Sequence, residues 1–209
     1  MARQADHNGR RKLFAAAALA VISREGLEGL TMREVAKEAG FTTGALTHYF
    51  QSKDELLIAA SEAGADIVRP EMDSAATAAS ARVALRDLLY AVLPTTAAMK
   101  AQWRFWIAFW ERAAHSPPVQ RLMRERYFEY TNRVARVIRR SQEQGEAPSE
   151  IDADRVAREI IALIDGIGVQ ATIGSRKFTS AVQREYVDGL LELRLGPMPA
   201  VDTVRTASR

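Results

Sequence analysis

The side chains best suited to chemistry crowd into one short stretch of this chain. TMREVAKEAGFTTGALTHYFQSKDELL, Thr31 to Leu57, holds Arg33, Thr42, Thr43, Gly44, Thr47, His48, Tyr49 and Lys53. Hydroxyls and the free N–H groups of a helix start bind phosphate oxygens. Threonine and alanine methyls can touch thymine methyls, and an arginine such as Arg33 reaches a guanine edge or a phosphate. Tyr49 and Lys53 fall one turn apart, at the end of one helix and the start of the next, a spacing that suits clamping a single phosphate. His48 fits either a base contact or packing. Gly44 and Ala45 keep the leading end slim enough to approach base edges. This is binding chemistry for a polyanion rather than a reaction centre.

Other chemistries find little support. The chain has 209 residues and no cysteine, which removes disulfides and thiolates, and its only histidines are His7, His48 and His115. No His-Glu-x-x-His, phosphate-cradling glycine loop or nucleophile elbow occurs, so no metal, cofactor or catalytic residue is expected. Asp152 and Asp154 stand where a helix start explains them as caps. Net charge is only +3, yet residues 100–145 hold ten Lys/Arg against four Asp/Glu and residues 1–53 hold eight against five. A modest total therefore permits local basic faces, which are what a polyanion meets. RRKLFAAAALAVIS has the outline of a signal peptide, but a capped helix follows it directly. No other apolar run approaches the ~20 residues needed to span a bilayer. The expectation is a soluble, cytoplasmic protein.

Positioning falls to helices. Strand alternation and hairpin turns are missing, and apolar spacing of helical period recurs throughout. Residues 2–9 read as a mobile arm. A first helix follows, with Leu13, Phe14, Ala17, Ala18, Val21 and Ile22 on one side, ending near Gly26. Thr31 with Glu34 forms a capping box for a second helix, and Gly40 stops it. Thr42 caps a very short third helix, and Ser52 with Glu55 opens a fourth that ends before Pro70. The Ala/Ser/Thr stretch 73–81 reads as a connector. Further helices are predicted over about 80–93, 95–115, 118–144, 152–173 and 179–195, making about nine in an all-α protein.

Val35, Ala36 and Ala39 facing Leu46, with Phe41 plugging the turn, make a helix-turn-helix whose second helix enters a major groove. The run GLEGLTMREVAKEAGFTTGALTHYFQSKDELL closely resembles the DNA-binding domain of the TetR family of bacterial transcriptional regulators, over about residues 10–57. By that resemblance Arg33, Thr42, Thr43, Gly44, Thr47, His48, Tyr49 and Lys53 match positions that the family places at DNA. Thr47 departs from the tyrosine that many members carry. The expected division is residues 1–54 as a three-helix DNA-binding domain with its arm, 55–196 as an effector-binding and dimerisation domain, and 197–209 as a flexible tail.

In the larger body, WRFWIAFWERAA places Trp103, Trp106 and Trp110 on one helix face with Phe105 and Phe109 nearly opposite. With Tyr127 they could wall a cavity able to hold a cation against ring faces, or they could be plain core. QRLMRERYFEYTNRVARVIRRSQEQG reads as a helix with a solvated arginine face. Two last stripes, one with Ile160, Ile164, Ile167 and Ala171, the other with Tyr186, Leu190 and Leu193, could form a two-fold four-helix interface or complete the protomer's core. The segments WRFWIAFWERA, RYFEYTNRV and ALIDGIGVQATIG resemble the body of the BetI-like branch of the same family. That branch includes a choline-responsive repressor, so a choline-like cation is one candidate effector. The implied function is a homodimeric, ligand-responsive regulator of a palindromic double-stranded operator. The alternative is a helical ligand-binding module or enzyme without sequence-specific DNA binding.

Overall fold

A computed structural model describes residues 2–77, 79–174 and 176–199, with side chains of residues 7–65 and from 79 onward. Among the described residues all regular structure is helical: α1 (Ala2–Gly29), α2 (Met32–Glu38), α3 (Thr43–Thr47), α4 (Lys53–Thr77), α5 (Ala81–Ala91), α6 (Ala97–Ala113), α7 (Pro117–Glu143), α8 (Ala153–Thr172) and α9 (Ser180–Leu195). None of these helices is long and apolar enough to cross a membrane. Of the tail expected from residue 197, residues 200–209 lie outside the described residues.

Local signals explain most boundaries. Gly26 breaks α1 with a left-handed φ of 74°, leaving one further turn to Gly29. Thr31, Thr42, Thr96 and Thr179 each accept a backbone N–H three residues on, capping α2, α3, α6 and α9. Only half of the Thr31 box forms, since the Glu34 carboxylate turns to Arg33 and Lys37 instead. Ser52 accepts from the Glu55 N–H, while the Glu55 carboxylate reaches back to the N–H of Gln51, one residue earlier than a standard box.

Two expectations fail near the amino end. Residues 2–9 are helical and continuous with α1, not an arm. His7 lies against the Tyr49 ring at 4.6 Å, and Arg11 donates to the Tyr49 carbonyl at 2.8 Å, so tertiary contacts hold this start in place. Leu13, expected inside, is exposed. Farther on, α4 runs through Pro70 to Thr77, replacing the predicted stop and most of the connector. A proline costs one helical hydrogen bond; the helix-favouring Ala75 and Ala76 beyond it help the helix continue.

Two cores share α6. Phe105 and Phe109, fully buried, join Phe14, Val21, Leu46, Phe50 and Leu57 in the amino-terminal core. Trp103 faces the other way, into a core with Leu85, Ile138, Ile160 and Leu191. The helix that is apolar on two sides is thus the partition between them, which is why neither side could be polar. Arg104 on α6 donates to the Ser23 carbonyl in the last turns of α1 at 2.7 Å, a cation placed where that helix ends. Arg82 is fully buried and binds the Leu191 and Gly196 carbonyls at 2.8 and 3.0 Å, anchoring the end of α9.

Candidate nucleic-acid interface and ligand cavity

The tip around α3 is built by a short sequence that buries little. Leu46 is its one buried residue, seated with Val35 and Ala36. Gly40, at φ 75°, makes the turn, and its N–H returns to the Lys37 carbonyl at 3.1 Å. Phe41 fills the turn only partly, edge-on to Phe14 at 5.2 Å and 37% exposed. Every polar group of α3 then points outward: Thr42, Thr43, Gly44, Thr47 and His48 are exposed. Thr42 Oγ1 accepts from the Ala45 N–H at 3.2 Å, and Thr47 Oγ1 donates to the Gly44 carbonyl at 2.9 Å. Tyr49 is half-buried against Phe14 at 5.4 Å and against His7, so its ring has a fixed seat. Lys53 is exposed at the first position of α4, and Arg33 is exposed on α2. Of the eight sequence-predicted tip residues, seven are exposed and Tyr49 is half-buried. Arg11, its guanidinium 4.3 Å from the centre of the Phe50 ring, braces the tip from α1.

A cavity of about 120 Å³ lies between α5, α6, α7 and α8. Trp103, Trp106, Trp110 and Tyr127, expected either as cavity wall or as core, all line it. Trp103 is anchored by its indole N–H to the Val92 carbonyl at 2.8 Å. It packs so closely on α8 that a Cβ added to Gly168 would overlap its ring, so this glycine is required by close approach. Trp103 and Trp110 meet edge to face at 5.9 Å between ring centres.

Sequence reasoning missed the charge in this wall. Asp165 lines the cavity, and its Oδ2 accepts from the Tyr127 hydroxyl at 2.7 Å. Burial pushes its carboxyl up to about 6 against the opposing pull of the Tyr127 hydrogen bond, and on its outer side Asp165 lines an open groove with Asn132 and Arg158. Tyr127 and Tyr130 are raised as well, first by burial. The available signal was a lone aspartate inside the apolar run IIALIDGIGV, since a charge on a buried helix face needs a reason. Trp110 Nε1 and Gln102 Nε2, both on lining residues, are buried without a hydrogen-bond partner.

One latch joins cavity and tip. Arg112, at the end of α6, donates from Nε and Nη2 to the two Asp54 oxygens at 2.6 and 3.1 Å, and Ser116 Oγ donates to the same carboxylate at 2.7 Å. Asp54 follows Lys53 directly at the start of α4. The Arg112 hydrogen bonds hold its carboxyl below the usual range against the opposing effect of burial.

The predicted partner stripes need correction. Ile160, Ile164, Ile167 and Ala171 are buried within the protomer, and Ile164 lines the cavity, so these four have no surface to offer a second copy. Helical spacing identifies an apolar stripe but not which neighbour covers it. Leu190 is half-buried, whereas Tyr186 at 53% and Leu193 at 75% are exposed. Ile173, Gly166 and Gly189 join them on the open face of α8 and α9, with free space beyond both glycines.

An outward-tipped helix-turn-helix carried on a helical body with an aromatic cavity defines a class of DNA-binding regulator. Residues 14–60 match the family of bacterial regulatory proteins called tetR, and residues 81–196 match the carboxy-terminal domain of BetI-type transcriptional repressors. The chain belongs to the TetR family of transcriptional regulators; it is not an enzyme. It is 31% identical over 174 residues to the regulator PksA of Bacillus subtilis, covering 83% of each chain. To the regulator BetI of Paraburkholderia phytofirmans it is 28% identical over 194 residues, covering 88% of this chain and 95% of that one. A transcriptional regulator from Saccharomonospora viridis, solved in complex with choline, superposes with a TM-score of 0.81 at 26% identity, over 90% of this chain and 98% of that one.

Proposed function

We propose that the protein is a homodimeric repressor whose two α3 tips read successive major grooves of a palindromic operator, and which is released when a small organic cation enters the aromatic cavity. The observation that carries this reading is the exposure of Thr43, Gly44, Thr47 and His48 beside Tyr49 and Lys53. Residues spent on a fold alone would bury some of that surface. The slim, hydroxyl-rich tip fits a groove, and Lys53 with the Tyr49 hydroxyl grips a flanking phosphate.

The exposed apolar face of α8 and α9 supplies a self-complementary interface, with Gly166 and Gly189 permitting close helix approach. Tryptophan faces attract an organic cation, and the choline held by the Saccharomonospora neighbour supports that ligand class. Ligand entry between α6 and α8 would bear on α6, whose far end holds α4 through Arg112 and Asp54. A shift there changes tip spacing, and the operator must weaken ligand binding by the same factor as ligand weakens operator binding. Footprinting on the DNA upstream of the protein's own gene tests the reading. A protected palindrome that Lys53→Ala with Tyr49→Phe abolishes supports it, and the absence of any protected site at low salt would overturn it.

A further inference from the structure

The cavity wall carries polar groups that an apolar pocket has no use for. Asp165 presents a carboxylate whose only hydrogen-bond donor among the described side chains is Tyr127, on one oxygen. The other oxygen has no donor among the described side chains; on the cavity side Asp165 sits beside Trp106, Ile161 and Ile164, and on its outer side it lines an open groove with Thr131 and Arg158. A buried carboxylate needs hydrogen bonds as well as a counter-charge. Trp110 Nε1 on the same wall is a donor with no acceptor, and Gln102, packed against Gly64, leaves its amide nitrogen unpartnered. Buried polar groups without partners call for an occupant that completes them.

Resting on the reading of this cavity as the effector site, we infer that Asp165 determines specificity and that the effector is a small protonated amine bearing at least one N–H, with an oxygen acceptor for the Trp110 indole. A quaternary ammonium brings charge but no N–H, so its charged end gives the Asp165 carboxylate no hydrogen bond. A neutral alcohol of the same shape brings neither the charge nor the N–H. The cavity of about 120 Å³ suits a small occupant. No covalent step is involved; the amine proton is shared with the Asp165 carboxylate while the tryptophan faces surround its carbons.

Three probes of nearly one shape separate the possibilities: dimethylaminoethanol, which carries an N–H when protonated, choline, which does not, and isoamyl alcohol, the neutral isostere. Calorimetric titration of the full-length protein near neutral pH is expected to give dimethylaminoethanol an affinity on the order of tenfold above each of the others. Asp165→Asn is expected to erase that preference, bringing the three within about threefold, and Tyr127→Phe to weaken it while keeping the order. Choline binding as tightly as dimethylaminoethanol, equal binding of isoamyl alcohol, no binding of any probe to the wild type, or an unchanged preference in Asp165→Asn would each overturn the inference. Footprinting separates this from the regulator reading: a protein that protects its operator yet ignores the amine refutes only the ligand assignment.

Discussion

The tip and the cavity are built by opposite means. The tip draws its functional side chains from about twenty consecutive positions and leaves them exposed, with Leu46 alone buried in α3. The cavity gathers Leu89, Trp103, Tyr127 and Asp165 from four helices and turns them inward. A surface meant for a rigid polyanion can be encoded locally, because caps and one glycine turn fix it. A pocket for a small molecule needs distant helices to agree, so its polar contents depend on packing. The tip is therefore cheap in stability, whereas the cavity stores an unfavourable buried carboxylate.

The partition helix is the place to break this division. Phe109→Ala removes a fully buried ring from the amino-terminal core and is expected to cost about 3–5 kcal/mol of unfolding free energy in denaturant titration. Operator binding should suffer with it, because that core seats α3. Next in size, Tyr49→Phe with Lys53→Ala should lower operator affinity on the order of tenfold to a hundredfold and flatten its salt dependence by about one unit per lost phosphate contact. Its melting temperature should stay put, since Lys53 is exposed and the Tyr49 ring keeps its seat.

Asp165→Asn sharpens the contrast from the other side. The folded carboxyl titrates near 6, above its value of ~3.9 in the unfolded chain. Between those two pH values the folded state binds the extra proton, so stability falls as pH rises and the cost is complete above about pH 6. The ligand-free variant should therefore be more stable than wild type near pH 7, on the order of 1–3 kcal/mol, and no different below about pH 4. A variant melting earlier at neutral pH would remove the idea of stored cost. The smallest effect is expected at the latch. Asp54 has its carboxyl lowered by Arg112, so its contribution is present above about pH 4 and fades as pH drops through the lowered value. Asp54→Asn should cost ~1 kcal/mol at neutral pH, the pair being partly exposed. Operator affinity should hardly change, while release by ligand is blunted.

The same local-versus-distant difference decides what could be read in advance. Thr31, Thr42, Gly40 and Ser52 announce their caps and turn because each acts within four residues. The all-helical class follows from recurring helical periodicity, and the limits of α5 to α9 from Pro94, Pro117, the Gly145–Pro148 break and the Gly174–Lys177 break. Asp165 escaped because its meaning lies in Tyr127, thirty-eight positions away. Ile160, Ile164, Ile167 and Ala171 misled for a related reason: an apolar stripe looks the same whether its own protomer or a partner covers it. The amino-terminal residues read as an arm because nothing local in ARQADHNG announces the docking of His7 on Tyr49.

The lack of native cysteine makes one measurement unusually clean. A spin label at Gln51→Cys, exposed just past α3, reports the distance between the two tips of a dimer. On operator DNA the account predicts a single narrow distribution within a label length of ~34–36 Å, one helical turn, broadening or shifting when the cavity is filled. A distance far from that value on DNA, or no intermolecular distance at all, would contradict the claim that paired tips read the operator.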